Sequence, residues 1–355
     1  MNSINLSEIY RKDLSTALNQ VVHFEKLHGK SVLITGASGL IGSFITDILL
    51  YHNKQVDSEA EIINIYASGR SLSRLKTRFL EATSMNCLHL IEHDVNNEIS
   101  FDFPVDYIIH AAGNAYPAVF SADPVGTIMS NVLGTKRLLD YAKEHDTKRF
   151  LFVSSGEVYG QGDLNLDAFE ENYSGYVNVI LPRSCYPSSK RTAETLCVSY
   201  TKQFGLDTVI VRPCHTYGPN ATASDNRANV QFVNDALWGK DILLKSAGNQ
   251  MRSYCYIADN ASAILTVLLN GKKGEAYNIA NKRAKISVAG FAKIVAEIAG
   301  KKVTFENPDE ATKEEQTPIT KAVLASDKLE SLGWQGSFPV KEGIEHTLKI
   351  LKELQ

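Results

Sequence analysis

Tyr186 and Lys190 stand four positions apart, and a serine, Ser155, lies upstream of them. Four residues make about one turn of an α-helix, so both side chains would project from the same helix face. An ammonium group beside a phenol favours the phenolate, which otherwise forms only at about pH 10. The spacing therefore predicts that Lys190 lowers the pKa of Tyr186, and that the phenol acts as a base in hydride-transfer chemistry.

Ser155 and Glu157 directly follow an apolar run, residues 150–153, that is typical of a buried strand. Residues just past the C-terminal end of a strand face the ligand crevice in a doubly wound sheet. We therefore expect Ser155 to hydrogen-bond the same hydroxyl group that Tyr186 deprotonates.

A glycine-rich turn, residues 36–42, follows the apolar run 32–34 and opens a predicted helix. Glycines in this context let backbone N–H groups approach a pyrophosphate at a helix N-terminus, where the helix dipole favours negative charge. The turn predicts a dinucleotide site formed by Gly36, Gly39, Leu40, Ile41 and Gly42.

The end of the second predicted strand bears on the choice of cofactor. Folds that bind NAD usually carry an acidic residue there for the ribose hydroxyls, whereas this chain has Ser68 and Arg70. A hydroxyl and a guanidinium would also suit a 2′-phosphate, so both NAD and NADP stay open. Asp94 and Val95, after the third strand, are placed to reach an adenine edge.

Short apolar runs alternate with helical segments such as 40–50 and 123–145. This pattern predicts an α/β fold, a Rossmann-like, doubly wound parallel sheet with helices on both faces and a smaller C-terminal substrate lobe. The predicted strands are residues 32–34, 62–66, 88–91, 107–110, 150–153 and 208–211.

We divide the chain into three parts on this basis. Residues 1–28 form an N-terminal helical extension, in which Ser7 is placed to cap a helix over residues 6–22. Residues 29–212 form the dinucleotide-binding Rossmann domain that carries Ser155, Tyr186 and Lys190. Residues 213–355 form mainly a substrate-binding lobe, with some segments returning to the Rossmann domain. The polar stretch 307–316 is expected to be an exposed loop.

Composition excludes several classes of function. The 355 residues carry a formal net charge of −3, which argues against a nucleic-acid partner. The five cysteines show neither paired spacing nor a zinc-ligand pattern, so we expect no metal site and a reducing compartment. We see no apolar signal segment and no stretch long enough to span a membrane. The sequence predicts a cytoplasmic protein with no membrane association.

Taken together, these motifs resemble the extended short-chain dehydrogenase/reductase family of NAD-dependent epimerases and dehydratases, whose members modify nucleotide-sugars. The resemblance covers about residues 30–350. Within the family, the stretch 182–197 around Tyr186 is most similar to UDP-glucuronate decarboxylases (UDP-xylose synthases). Further matching segments are 110–113, 131–135, 212–219, 225–230 and 252–259.

The resemblance implies a role for each matching residue. Tyr186 is then the base, Lys190 lowers its pKa and positions the nicotinamide ribose, and Ser155 holds the C4 oxygen of the sugar. Arg227 and Arg252 would contact the phosphates of the nucleotide-sugar, since arginine forks match phosphate oxygens. The remaining implied contacts are, for the cofactor, Ala111, Ala112 and Asn131 and, for the substrate, Asn114, Arg183 and His215.

The reaction implied by the resemblance begins with oxidation of the sugar at C4 by tightly held NAD⁺. A C6 carboxylate then becomes a β-keto acid and can leave as CO₂. Glu157 favours this outcome or 4,6-dehydration, because both groups of enzymes carry glutamate at this position. Gly156 is a departure, since dehydratases have an acid there and decarboxylases commonly a serine. Gly156 thereby strongly weakens the case for dehydration and moderately weakens the case for decarboxylation.

His215 is a second departure, because the family usually has asparagine there. UDP-glucuronate decarboxylation is the leading hypothesis, and a 4-epimerase or an NADPH-dependent 4-keto-sugar reductase is the alternative. A non-catalytic dinucleotide-binding regulator would not need the Ser155, Tyr186 and Lys190 set. The resemblance also implies a UDP-linked sugar as substrate and a homodimer formed through two long helices, one of which carries Tyr186.

Overall fold

The computed structural model describes residues 4–113, 115–222, 224–306 and 319–355. Its strands are β1 (Ser31–Thr35), β2 (Asn64–Gly69), β3 (Leu88–Glu92), β4 (Tyr107–His110), β5 (Arg149–Val153), β6 (Thr208–Pro213), β7 (His215–Tyr217), β8 (Ile242–Leu244), β9 (Met251–Tyr256), β10 (Ala276–Ile279), β11 (Lys285–Ser287), β12 (Val303–Phe305) and β13 (Lys321–Ala322). Its helices are α1 (Glu8–Gln20), α2 (Leu40–Asn53), α3 (Leu72–Arg78), α4 (Pro117–Ala122), α5 (Pro124–Glu144), α6 (Cys185–Phe204), α7 (Ala228–Leu237), α8 (Ile257–Asn270), α9 (Val288–Ala299), α10 (Asp327–Glu330) and α11 (Val340–Leu354).

A seven-stranded sheet forms the centre of the molecule, in the spatial order β10-β6-β5-β4-β1-β2-β3. Every neighbouring pair in it is parallel. The chain winds from β1 to β3 in one direction and from β4 to β6 in the other, so the strand order reverses between β1 and β4. A ligand crevice opens at such a reversal, beyond the carboxyl ends of the strands. The predicted fold class is confirmed.

Helices cover both faces of this sheet, and successive side chains of β1 show how. Leu33 packs in one cluster with Leu138 of α5, while Ile34 packs in another with Ile48 of α2. Side chains of a strand alternate between the two faces, so a strand buried on both sides reads as a continuous apolar run. The two-sided burial explains why the sheet could be recognised from short apolar segments.

The N-terminal helix α1 is tied to both parts of the fold. Ser7 caps it, accepting a hydrogen bond from the Tyr10 amide at 3.3 Å, as predicted. The Tyr10 hydroxyl donates to Asp47 of α2 at 2.5 Å. Asp13 accepts from the Tyr256 hydroxyl, at the end of β9, at 2.6 Å. The extension is therefore bonded through buried polar groups to the sheet's helical layer and to the C-terminal part of the chain.

The chain beyond β6 contributes β7, β8 and β9 to two small sheets, returns to the large sheet with β10, and then completes the small sheets with β11, β12 and β13. In one, β9 pairs with β7, β11 and β13; in the other, β8 pairs with β12. The strand β10 then adds to the edge of the central sheet beside β6. This seventh strand was missed in the sequence, which predicted six.

The second strand also differs from its prediction. It runs over Asn64–Gly69, whereas residues 62–66 were expected. The strand continues through the small residue Ser68, whose carbonyl accepts a hydrogen bond from the Ala37 amide in the glycine turn. Residues 307–316, the expected loop, lie outside the described residues. No helix in the described part of the chain is long and apolar enough to cross a membrane.

Candidate active site

The predicted catalytic set comes together at the carboxyl end of β5. Tyr186 and Lys190 lie one turn apart on α6, and both are buried, at 6 % and 4 % exposure. Ser155 follows β5 and caps a 3₁₀ turn over Gly156–Tyr159, accepting a hydrogen bond from the Glu157 amide at 3.1 Å. The hydroxyl of the same serine lies near the phenol of Tyr186 and acts to lower the pKa of that phenol. A base and a hydroxyl group are thus aligned at one edge of the sheet.

Lys190 is held by β5 rather than by the phenol. Its Nζ donates to the Val153 carbonyl at 2.8 Å and lies 4.7 Å from the centroid of the Phe152 ring. The distance from Nζ to the centroid of the Tyr186 ring is 5.9 Å. Burial lowers the pKa of Lys190 to about 8. The ammonium is therefore oriented by the strand and faces the space beside Tyr186.

The pKa of Tyr186 differs from the sequence-based prediction. In the protein alone, burial of the phenol, with the nearby charge of Glu157, raises this pKa to about 12. The nearby Ser155 hydroxyl and the charges of Arg227 and Arg183 act in the opposite direction. The expected lowering of this pKa is not found in the ligand-free protein, because desolvation of a phenolate outweighs the favourable charges around it. The contribution of Lys190 itself stays a prediction.

Glu157 is engaged by an arginine rather than free in the cleft. Nη2 of Arg183 donates to both carboxylate oxygens of Glu157, at 3.1 and 3.0 Å. The guanidinium carbon lies 4.4 Å from the centroid of the Phe120 ring, which stacks on Tyr186 at 5.2 Å. Arg183 was predicted as a substrate contact; here its guanidinium links Glu157 to the aromatic wall of the site.

Two further arginines face the same cleft. Arg227, at the start of α7, pairs with Asp225, from Nε at 3.0 Å and from Nη2 at 2.5 Å. Arg252 of β9 is 3 % exposed and donates to backbone carbonyls, at 3.2 Å for that of Met251. Among the described residues, no carboxylate forms an ion pair with Arg252. Both charges act on His215, so the arginines predicted from sequence are close together in space.

His215 lies in β7 and pairs with Tyr254 of β9. Burial, reinforced by the charges of Arg252 and Arg227, lowers the pKa of His215 to about 3. The ring is therefore neutral at physiological pH and offers hydrogen bonds instead of charge.

The space around Gly156 is tight for a side chain. A Cβ at this position would lie 3.1 Å from Cδ1 of Leu324 and 3.4 Å from the Pro213 carbonyl oxygen. Leu324 is buried and comes from the segment after β13. An apolar side chain thus fills the space in which an acid or hydroxyl would otherwise stand.

The glycine turn has the shape that a dinucleotide needs. Gly36 has φ 69°, and a Cβ on it would lie 2.8 Å from the Ala111 carbonyl oxygen at the end of β4. Gly39 is the N-cap of α2 and has no side chain that could accept a hydrogen bond. The first amides of that helix, including those of Leu40 and Ile41, are therefore not capped by it. A Cβ at Gly42 would lie 2.4 Å from the Gly36 carbonyl oxygen. The residues fit a pyrophosphate at this helix N-terminus.

A second part of the cradle lies beyond β4. The Ala112 amide donates to Thr35 Oγ1 at 3.2 Å, which fixes the 111–113 segment beside the glycine turn. Asn131 of α5 donates to Ser189 at 3.0 Å, while its Oδ1 is buried without a partner among the described residues. A Cβ at Gly113 would lie 3.1 Å from that oxygen and 3.7 Å from Lys190 Nζ. Asn131 and Lys190 therefore border one space. Asn114 lies outside the described residues.

The positions predicted to bind the adenosine end have mixed accessibility. Ser68 is 1 % exposed, whereas Arg70 is exposed to solvent directly after β2. Asp94 follows β3 and accepts hydrogen bonds from Asn96. The Val95 side chain is buried against Gly134 of α5. Of these four positions, Arg70 is the exposed one and Asp94 is half-buried.

Several residues of the site were missed by sequence reasoning. Phe120 of α4 and Leu324 line it although apolar residues carry no chemical signature. Asp225 was quoted only as part of a matching segment, yet it neutralises Arg227. Its spacing of two from the arginine was the one local signal available.

Comparisons with known proteins agree with this geometry. The family model described as the NAD dependent epimerase/dehydratase family matches residues 32–280. UDP-glucuronic acid decarboxylase 5 of Arabidopsis thaliana is 33% identical over 316 residues, covering 88% of this chain and 86% of the relative. UDP-glucuronic acid decarboxylase 1 of Xenopus tropicalis is 31% identical over 330 residues, covering 92% of this chain and 73% of the relative.

A solved structure shares the fold at lower identity. The UDP-glucuronic acid 4-epimerase from Bacillus cereus, in complex with UDP-glucuronic acid and NAD, superposes with a TM-score of 0.76 at 21% identity, covering 92% of this chain and 100% of that one. The parallel sheet with its crevice, the serine, tyrosine and lysine beside it, and the matches over most of the chain lead to one conclusion. This protein belongs to the NAD-dependent epimerase/dehydratase family of extended short-chain dehydrogenases/reductases.

Proposed function

We propose that this enzyme oxidises a UDP-linked sugar at C4 and decarboxylates UDP-glucuronate. One observation carries the proposal: Tyr186 and Ser155 lie near each other beyond β5 and close to Glu157, and the charges of Arg227 and Arg252 reach the same cleft. A buried base next to clustered guanidinium groups suits a substrate that is a polyanion with one reactive hydroxyl. The relatives named UDP-glucuronic acid decarboxylase support the choice of substrate.

The first step uses the phenol and the serine. The Ser155 hydroxyl lies near the Tyr186 phenol in the ligand-free protein, so a sugar hydroxyl bound beside them would contact both groups. Tyr186 takes the hydroxyl proton as the C4–H bond breaks. NAD⁺, when bound, supplies the hydride acceptor and adds a positive charge beside the phenol. This charge acts in the same direction as Arg183 and Arg227, which already favour the phenolate.

The cofactor residues have the following proposed roles. The amides that follow Gly39 hold the pyrophosphate, and the packing of Gly36 against Ala111 lets the dinucleotide approach the sheet. Lys190 and Asn131 border the space next to Tyr186, so they would position the nicotinamide ribose. The partnerless Oδ1 of Asn131 would accept a hydrogen bond there.

The substrate phosphates are assigned to Arg227 and Arg252. Arg252 is buried and its hydrogen bonds within the described residues go to backbone carbonyls, so its charge is available to an anion. His215 would donate or accept a hydrogen bond as a neutral ring. With C4 oxidised, the substrate is a β-keto acid: the C5–C6 bond breaks as CO₂ leaves, the bonding electron pair forms the enolate of the 4-ketone, and a proton is then added at C5. Return of the hydride to C4 completes the reaction, so no net oxidation of the sugar takes place.

Mass spectrometry tests the reaction directly. The protein is incubated with UDP-glucuronate and NAD⁺, and we expect a nucleotide-sugar product that has lost CO₂. Tyr186→Phe is the matched variant: it should abolish turnover and leave NAD⁺ binding intact. Unchanged substrate mass with cofactor-loaded wild-type protein would refute the decarboxylase assignment.

The geometry at Gly156 favours 4-epimerisation or 4-keto reduction as a second candidate. Leu324 fills the space at this position, so the site lacks the side chain that dehydratases and decarboxylases use there. Epimerisation needs only the removal and return of a hydride at C4. Product isomers of equal mass would identify an epimerase, and NADPH consumption with a 4-keto-6-deoxy sugar would identify a reductase. The same packing argues against 4,6-dehydration.

We further propose a homodimer formed through α5 and α6. Val125, Met129 and Leu133 recur every four residues on α5 and are 65%, 43% and 40% exposed. Residues at this spacing form one stripe on a helix, and apolar stripes on long helices are common in subunit interfaces. On the adjacent helix α6, Val198 and Phe204 are also exposed, at 39% and 44%.

Light scattering after size exclusion tests this interface. Leu133→Glu should convert a wild-type dimer into a monomer, because it places a charge in the middle of the stripe. Trp238→Glu is a matched control, since Trp238 is 75% exposed but lies at the end of α7. A monomeric wild type, or equal effects of both variants, would contradict the proposal.

A reducing compartment, the cytoplasm, is the location we propose. All five cysteines are free thiols, and four of them are buried. Unpaired buried cysteines are typical of proteins kept in reducing surroundings. Fractionation of cells that make the native protein would test the location.

A further inference from the structure

Arg183 occupies a position that a substrate contact alone does not explain. Nη2 donates to both oxygens of Glu157, and the two side chains are 15% and 27% exposed. Nε of Arg183 is buried and has no partner among the residues that the structure describes. The guanidinium is therefore committed to the glutamate in the ligand-free protein and largely shielded from water.

An aromatic stack fixes the arginine relative to the base. The guanidinium carbon lies 4.4 Å from the centroid of Phe120, and the Phe120 ring lies 5.2 Å from that of Tyr186 with an interplanar angle of 20°. A cation held over a ring face gains electrostatic attraction in addition to its ion pair. Arg183, Phe120 and Tyr186 thus form one packed column beside the carboxylate of Glu157.

Four charged groups face the Tyr186 phenol from the elements around it. Glu157, from the 3₁₀ turn after β5, opposes formation of the phenolate. Arg183, before α6, and Arg227, at the start of α7, favour it. Lys190, from α6 itself, has its ammonium 5.9 Å from the ring centroid. The neighbouring Cys185 thiol is buried and neutral, since burial raises its pKa.

We propose that Arg183 is a positioning residue, whose ion pair with Glu157 holds the carboxylate in place and cancels its charge beside the Tyr186 base. The proposal rests on the proposed function only in taking Tyr186 as the base. It gives Arg183 a role that acts through Glu157, in place of a phosphate or sugar contact of its own.

This arrangement predicts that removing Arg183 and removing the charge of Glu157 shift the pKa of Tyr186 in opposite directions. Arg183→Met removes a cation and leaves the negative charge of Glu157 uncompensated beside the phenol, so the pKa of Tyr186 should rise by about one unit. Glu157→Gln removes the anion, so the same pKa should fall by about one unit. The double variant removes both charges and should return within about half a unit of the wild type. Arg183→Lys keeps the cation and should stay near the wild type.

The measurement is a direct titration of the phenol at position 186. Difluorotyrosine, a more acidic phenol, is placed at this position in full-length, NAD⁺-loaded protein, and its ionisation is followed by fluorine NMR. Lys202→Met is the matched control, because it removes an exposed cation from the last turn of the same helix. The control should leave the pKa unchanged.

Shifts of opposite sign in the two single variants, with recovery in the double variant, support the proposal. An unchanged pKa in Arg183→Met, or a shift in the same direction in both single variants, overturns it. If Arg183→Met does not fold, Glu157→Gln and the double variant still test it, since the double variant leaves no uncompensated buried charge. The titration needs no turnover, so its outcome is separate from that of the decarboxylation assay.

Kinetics provide a second readout. A positioning role predicts that Arg183→Met lowers kcat about tenfold or more with KM little changed, as expected for an interaction that matters only during the reaction. The further loss on adding Glu157→Gln should be small, because the two residues act as a unit. If the kcat losses of the two single variants multiply in the double variant and KM rises, Arg183 contacts the substrate directly and the proposal is overturned.

Discussion

Replacing Arg78 with methionine should destabilise the fold severely, because Arg78 is the counter-ion of a fully buried carboxylate. Asp47 of α2 has a side chain 1% exposed, and that of Arg78 is 18% exposed. Nη1 of Arg78 donates to Asp47 Oδ1 at 3.3 Å, and Nη2 donates to Oδ2. Tyr10 of α1 donates to the same carboxylate at 2.5 Å, so the pair also anchors the N-terminal helix.

The expected magnitude follows from the burial. Removing one partner of a buried ion pair leaves an uncompensated charge and typically costs about 3–5 kcal/mol. Tyr10→Phe removes one hydrogen bond to a charged group and should cost about 1.5–3 kcal/mol. Asp47→Leu combined with Arg78→Met removes both charges and should cost less than Arg78→Met alone, because apolar replacements of similar volume are often neutral.

Urea unfolding followed by circular dichroism measures these differences. Arg74→Met is the matched control, since Arg74 lies on the same helix α3 but is exposed. The control should change the free energy of unfolding by less than about 0.5 kcal/mol. A loss below about 1 kcal/mol for Arg78→Met, or a double variant less stable than either single one, would refute the assignment of Arg78 as an essential counter-ion.

Two further predictions concern pH and cofactor binding. The hydrogen bond between His346 and Asp13, at 2.9 Å, raises the pKa of His346. The protonated histidine therefore stabilises the fold fully below its usual pKa of about 6.5, and this stabilisation is lost as the pH rises through the pKa in the folded protein. His346→Gln should therefore destabilise the protein more at about pH 6 than at about pH 9 in urea unfolding, and an equal loss at both would contradict this. Gly36→Ala should weaken NAD⁺ binding by at least about tenfold in calorimetry, because its Cβ would meet the Ala111 carbonyl oxygen at 2.8 Å. Gly300→Ala is the control, because Gly300 has a similar φ of 66° and open space around it, and this variant should leave the NAD⁺ affinity unchanged. An equal loss of affinity in both variants would mean that backbone strain alone, and not the contact with Ala111, weakens binding.

The central sheet was predictable because each of its buried strands is a short apolar run that ends at a recognisable turn. The strand β10 escaped prediction for a physical reason. It has four residues and pairs with β6 only after three strands that belong to other, smaller sheets have intervened along the chain. Local sequence does not report where a strand returns. The shift of β2 has a similar origin, since Ser68 is bonded to the distant glycine turn and Gly69 to the chain just after β3.

The candidate catalytic residues could be identified from their spacing in the sequence, whereas the pKa shifts and ion pairs around them could not. The four-residue interval brought Tyr186 and Lys190 to one helix face, as predicted. The pKa of Tyr186 moved the other way, because burial and Glu157 come from the packing of elements far apart in sequence. The pairing of Arg183 with Glu157 likewise joins residues on two separate elements. Such couplings depend on the assembled fold.

The central claim is that the reaction begins with cleavage of the C4–H bond by a site built around Tyr186. Single-turnover rates with UDP-glucuronate carrying hydrogen or deuterium at C4 test it most directly. We expect the NAD⁺-loaded protein to convert the deuterated substrate more slowly than the protiated one, and Tyr186→Phe to convert neither. Equal single-turnover rates for the two isotopologues, with product formed by wild-type protein, would contradict the account.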